Sequence, residues 1–301
     1  MLTFLRPSFN VALVALFIAC SVHTEEPAHY PAANLENDTY QAGEGWELAW
    51  SDDFTGLALN ADNWNLQQEP PGRFNDEWQR YTDSTENAYV EDGCLVIRAL
   101  HTGDEHGMGQ YTSARLNTAN KQSWTYGKIA ARIQLPHGEG MWPAFWMLGA
   151  NINENGGDTP WPQSGEIDIM EFYGSRSGGT VEANIHYANE QGQHTQMGAQ
   201  KFELPEGRFA DAFHVFEIEW NEERIEWLVD GQPYASSPIT GAEFSEFHKP
   251  FFILLNIAVG GQGSGRPDET TPFPSYMYVD WVRVYQDNKT SISLTDRKNL
   301  P

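Results

Sequence analysis

The chain has 301 residues, with 42 acids against 18 Lys and Arg and a formal net charge of −24. Phosphate binding needs a basic surface, so this balance excludes a nucleic-acid partner and suits a soluble protein that works on neutral polymers. The 16 Phe, 12 Tyr and 11 Trp supply a core and also flat apolar faces on which sugar rings stack, and the length fits one large all-β domain or two small ones.

At the N-terminus, Arg6 precedes an apolar run from Phe9 to Ala19 that is too short to span a bilayer but suits the h-region of an export signal. It ends in Phe17-Ile18-Ala19-Cys20, which resembles a bacterial lipoprotein cleavage box with Phe17 where Leu is usual. Residues 1–20 are therefore expected to be an export signal of lipoprotein type, with a mature chain acylated at Cys20; an ordinary signal peptide cut nearby is the alternative. Either way the protein is exported, as an outer-membrane or cell-surface lipoprotein or in secreted form. Only Cys94 then remains, which leaves no intramolecular disulfide.

Residues 21–43 are polar and Pro-containing with no hydrophobic period, and read as a flexible tether. Residues 44–286 carry the pattern of one domain. Alternating segments run at Trp46–Trp50, Val90–Ala99, Thr112–Thr118, Tyr126–Leu135, Val181–Tyr187, Phe213–Trp220, Ile225–Val229, Phe251–Val259 and Met277–Tyr285. Asp92-Gly93 and Asp230-Gly231 are hairpin turns between them. No 3.6-residue period of useful length and no repeat interrupts this spacing, so the expected class is all-β, a sandwich or barrel. Residues 287–301 form a polar, unpatterned tail.

One stretch stands apart, Gly165-Glu166-Ile167-Asp168-Ile169-Met170-Glu171. In a strand, Glu166 and Asp168 point to one side while Ile167 and Ile169 point to the other. Strict alternation would send Glu171 away, but one extra residue held as a β-bulge returns it to the side of Asp168. Two carboxyls about 5 Å apart across a sugar are what a retaining glycosidase uses, one as nucleophile and one as proton donor. Crowding splits their titration, which predicts a protonated donor beside an ionised nucleophile, with Asp168 holding or relaying the proton. Taken alone, the row also suits a solvated face, partners for Arg, or ligands of a divalent cation.

The surrounding segments form a set. Tyr126-Gly127-Lys128-Ile129, Gly140-Met141-Trp142-Pro143-Ala144-Phe145-Trp146, Trp161 through Glu171, Leu255-Asn256-Ile257-Ala258-Val259-Gly260-Gly261 and Val279-Asp280-Trp281-Val282-Arg283 resemble family 16 glycoside hydrolases of the laminarinase type, in the family's order. The resemblance implies a concanavalin-like β-jelly roll, two curved antiparallel sheets with a glucan cleft on the concave face. It implies retaining endo-hydrolysis of β-1,3-glucan or mixed-linkage β-1,3-1,4-glucan, needing no catalytic cofactor. Glu166 is similar to the nucleophile, Asp168 to its assisting acid and Glu171 to the general acid/base.

Trp142, Trp146 and Trp161 are candidate sugar platforms, and Arg115, Asn75 and His186 candidate cleft residues. Each has a structural alternative: the tryptophans as core, Arg115 as an ion pair to the acid row, and Asn75 and His186 as polar groups satisfied inside the domain. In the family the Asp matching Asp280, with backbone oxygens near Asp53 and Gly93, binds a structural calcium; a buried, hydrogen-bonded Asp280 explains the pattern equally. Ala130, Asp76, Trp78 and the Gln262-Gly263-Ser264-Gly265 segment depart from the family pattern, and are expected to touch the cleft rim and bear on linkage preference. The expected partner is β-glucan, met by a monomer that reaches a membrane only through Cys20. An algal galactan cut by the same mechanism, or a glucan-binding protein without catalysis, are the rivals.

Overall fold

The computed structural model describes residues 38–287. The signal with Cys20, the tether up to residue 37 and the tail beyond Asp287 lie outside the described residues. The alternating segments pair into two sheets. In the larger, Gln232–Pro238, Arg224–Val229, His214–Trp220, Gly127–Gln134, Ser275–Asp287, Cys94–His101, Tyr111–Ser113 and Gln79–Tyr81 lie side by side. Trp46–Asp52 adds to Ser275–Asp287, and Ala88–Glu91 to Cys94–His101. In the smaller, the order is His194–Gln196, Thr180–Ala188, Glu166–Glu171, Met141–Gly149, Phe251–Val259, Arg115–Asn117 and Asn65–Leu66, with Gln200–Glu203 also on Thr180–Ala188. Pairing is antiparallel throughout, apart from Gln79–Tyr81 on Tyr111–Ser113. This is the expected all-β jelly roll, with the core between the sheets.

Alternation decides which residues enter that core. From the larger sheet Ile129, Ala131 and Ile133 point inward, as do Phe216 and Ile218. From the smaller, Ile167, Ile169 and Met170 meet them, together with Phe145, Met147, Ile253, Leu255 and Ile257. Burying such side chains supplies the main driving force for the fold, about 25 cal/mol per Å² of apolar surface.

Two boundaries differ from expectation. Residues 38–43 are docked rather than free: the Tyr40 ring lies 5.0 Å from that of Trp281, and its hydroxyl donates to Glu217 at 2.5 Å. A polar composition concealed one well-placed aromatic. Met141–Gly149 is a full strand although it contains Pro143. The register puts Pro143 one residue past the last pair with the acid strand, Ala144 with Glu171, at a ladder end where a missing donor is tolerated.

Candidate active site

The acid strand has the predicted kink. Asp168 pairs with Trp146 on one neighbour, but the next pair is Met170 with Phe145, so Ile169 is the extra residue. On the other neighbour, the three steps from Asp168 to Glu171 oppose two steps from Asn184 to Glu182. Ile169 and Met170 both enter the core as a result, and Glu171 returns to the face of Glu166 and Asp168. A bulge disrupts the ladder locally, and here the buried indole of Trp227, from the opposite sheet, donates to the Asp168 carbonyl at 2.8 Å. Gly165 opens the strand with φ +79, and a Cβ there would come 2.8 Å from the Phe251 ring. Glycine is required at that position on both counts.

Glu166, Asp168 and Glu171 border one cleft together with Trp142, Trp146, Asn75 and Arg115. Its main cavity, about 530 Å³, continues past Trp161, His186 and His194. Trp142 Nε1 and the Tyr173 hydroxyl both donate to Glu171 Oε1 at 3.0 Å. Trp161 Nε1 donates to Glu166 Oε2 at 2.8 Å, while its ring is 43% exposed and free to meet a ligand. One oxygen each of Glu166 and Asp168 and a ring nitrogen of His186 lie within 4.8 Å of one another.

No Lys or Arg forms an ion pair with these three acids among the described residues. Burial, then the charge of Asp168, pushes Glu166 up to about 8, against the opposing pull of His186. Burial and Glu171 drive Asp168 up, opposed by a hydrogen bond from Glu166. Glu171 is raised by burial and moderated by the Trp142 and Tyr173 donors. All three shifts have one origin: several carboxyls in a desolvated row hold at least one proton in common at neutral pH. Glu171 has two donors favouring its charge and Glu166 one, which eases Glu171 more than Glu166 toward the charged form.

The other expected cleft residues converge here. Arg115 makes no ion pair with the acid row: it is sandwiched between the Phe74 and Trp146 rings at 4.4 and 4.6 Å and donates to Gln67 at 2.7 Å. Asn75 bonds Glu77 at 3.3 Å, and Trp146 Nε1 donates to Asn256 at 2.7 Å. Asp76 and Gln262 bond each other at 2.9 Å, and Trp78 covers Gly260, so those departures do lie together on one loop pair. Ala130 corrects the expectation. It is packed with Val215 and Trp281 on the outer face of the larger sheet, because its neighbours Ile129 and Ala131 take the inward positions.

Sequence reasoning named His186 but missed the rest of a second polar row, Asn184 and Glu182. On the adjacent strand His186, Asn184 and Glu182 stand opposite Glu166, Asp168 and Glu171. Glu182 is 3% exposed and paired with Arg176 and Lys201, and Arg176 in turn covers the Tyr173 ring. The alternation Glu182-Ala183-Asn184-Ile185-His186 was the available signal. Glu77, buried and fed by Gln79 and Tyr81, was also missed.

At the positions named for calcium, Asp280 is bound by Arg132 and Asp53 by Arg283 at 2.9 Å, while Gly93 takes a turn with φ +80. Burial outweighs Arg132 and keeps the Asp280 carboxyl raised, while each of the two carboxylates already holds a guanidinium. Carboxylate and backbone oxygens are donors of the kind calcium takes, so a bound ion there would compete with those arginines.

A bulged acid strand on the cleft face of a jelly roll defines a glycoside hydrolase site. Residues 74–283 match Glycosyl hydrolases family 16, and the chain belongs to that family. It is 38% identical over 287 residues to the beta-glucanase of Rhodothermus marinus, covering 91% of this chain and 93% of that protein. It is 36% identical over 277 residues to glucan endo-1,3-beta-glucosidase A1 of Niallia circulans, covering 84% of this chain but only 40% of that protein's length. Among solved structures, the catalytic domain of an endo-1,3-beta-glucanase (laminarinase) from Thermotoga petrophila RKU-1 superposes with a TM-score of 0.69 at 44% identity, covering 81% of this chain and 98% of that one.

Proposed function

We propose that the chain is a retaining endo-glycoside hydrolase of β-1,3-glucan (laminarin) or mixed-linkage β-1,3-1,4-glucan. The observation that carries this reading is the single extra residue, Ile169, which aims Glu166 and Glu171 into the same aromatic-walled cleft. Glu171 protonates the departing glycosidic oxygen while Glu166 attacks the anomeric carbon and forms a glycosyl-enzyme. Water, deprotonated by Glu171, then releases the sugar with its configuration retained. Before attack the proton shared by the row passes from Glu166 by way of Asp168 to Glu171, and that relay is the assisting role of Asp168.

Trp142, Trp146 and Trp161 hold pyranose rings, with Arg115, Asn75 and His186 as polar cleft contacts. Reducing-end release from laminarin, mixed-linkage glucan and agarose, measured side by side, tests the reading. Turnover of the glucans and not of agarose is expected; turnover of agarose alone would move the substrate to the galactans. Glu166→Gln is expected to abolish turnover while glucan binding survives, and retained turnover would reject the assignment.

We read residues 1–20 as directing export, with a lipid on Cys20 anchoring a monomer; the mass of the mature N-terminus tests this. Asp280, with backbone oxygens of Asp53 and Gly93, would hold calcium as a structural ion. EDTA should then lower Tm without reducing the activity of the folded fraction.

A further inference from the structure

His194 lies on the short strand His194–Gln196 and belongs to none of the roles assigned above. Its Nε2 stands 2.8 Å from His186 Nδ1, and the two rings are stacked with centroids 5.1 Å apart. The opposite nitrogen of His186, Nε2, lies 3.1 Å from Asp168 Oδ2 and 4.0 Å from Glu166 Oε1. Asp168 Oδ2 is buried and has no hydrogen bond of good geometry, so the approach of His186 Nε2 is a close polar contact rather than a formed bond. A continuous line therefore runs from exposed His194 through His186 to the most buried acid of the row. Facing the imidazole pair are Glu166, Asp168 and Glu171 from the acid strand and the uncharged Trp161, whose ring is 4.7 Å from that of His194.

The proton arithmetic of an imidazole makes this geometry selective. When His194 donates from Nε2, His186 accepts at Nδ1 and must carry its own proton on Nε2, aimed at Asp168. When His194 accepts, a charged His186 donates from both nitrogens, and Nε2–H again meets Asp168. The remaining form, neutral His186 donating from Nδ1 to His194, sets a bare lone pair against the carboxylate, so Asp168 disfavours it and leaves His194 to act as the donor. We propose that His194 is a positioning residue that holds His186 with its proton on Nε2, and so favours negative charge on the acid row. This rests on the hydrolase reading, because the charge it favours is the one Glu166 and Asp168 need for attack.

Removal of the partner should weaken the contact by which His186 favours ionised Asp168, and weaker support of the charged form raises the acid's pKa. His194→Leu is thus expected to move the acid limb of kcat/KM upward by about half a pH unit or more. It should lower kcat with little change in KM, whereas loss of a mere sugar contact would raise KM. In ¹⁵N-edited NMR of the resting protein, His186 should be Nε2-protonated in the wild type and a mixture of tautomers in His194→Leu. His194→Gln, whose amide can still donate to Nδ1, should restore both the tautomer and the acid limb. An unchanged His186 tautomer in folded His194→Leu would overturn the proposal. So would failure of His194→Gln to restore it. The NMR result is independent of turnover, so it separates this inference from the hydrolase reading itself.

Discussion

The two outer faces of the sandwich each carry buried carboxylates and treat them differently. On the larger sheet Glu217 has Lys128 at 3.8 Å and the Tyr40 hydroxyl, and Asp280 has Arg132. On the smaller sheet Glu166, Asp168 and Glu171 are served by indole, phenol and imidazole groups, none of them a permanent cation. Burial opposes charge on both faces, but no fixed cation pairs with the acid row, whereas Glu217, Asp280 and, beside the row, Glu182 each have one. The lesson is that a carboxylate neutralised by Lys or Arg supports structure, whereas one left with neutral donors keeps a proton it can give and take.

The sharpest way to break that contrast is to remove a proton donor from the cleft face. Glu171→Gln should lower kcat by about 10²–10⁴-fold, the usual contribution of an acid/base group, with Tm nearly unmoved. On the other face the pattern should invert. Arg132→Met strands the Asp280 carboxylate and should cost about 3 kcal/mol, roughly 6–12 °C in Tm, while kcat of the folded fraction stays as it was.

Trp227→Phe lies between the two, since it removes the buried donor to the Asp168 carbonyl and loosens the bulge. A loss of about 1–3 kcal/mol by denaturant unfolding, accompanied by a fall in kcat larger than any rise in KM, is expected. The smallest effect is a pH dependence of stability. Glu166 is raised from 4.5 to about 8 in the fold, so the folded state holds the extra proton. Its stabilising contribution is complete below 4.5 and is lost as pH rises through about 8. Glu166→Gln should therefore flatten the decline of Tm across that interval, and gain on the wild type at its alkaline end.

Much of this was legible in the chain. The period-2 alternation located most long strands, and the spacing Glu166, Asp168, Glu171 already called for one extra residue, which Ile169 supplies. Illegible were the features set by pairing. Glu182 becomes a cleft residue only because its strand lies opposite Glu171, and Tyr173 serves the site from beyond the strand end. Tyr40 sits in a polar stretch, so no local pattern announced its docking on Trp281. How the shared proton divides among the three acids depends on how many donors each receives, which spacing alone does not reveal.

All of this turns on both carboxyls reaching one sugar from one face. The anomeric configuration of the first product released from laminarin, followed by ¹H NMR before mutarotation, reports on that directly. The β-anomer is predicted; the α-anomer would mean a single displacement and would contradict the roles given to Glu166 and Glu171.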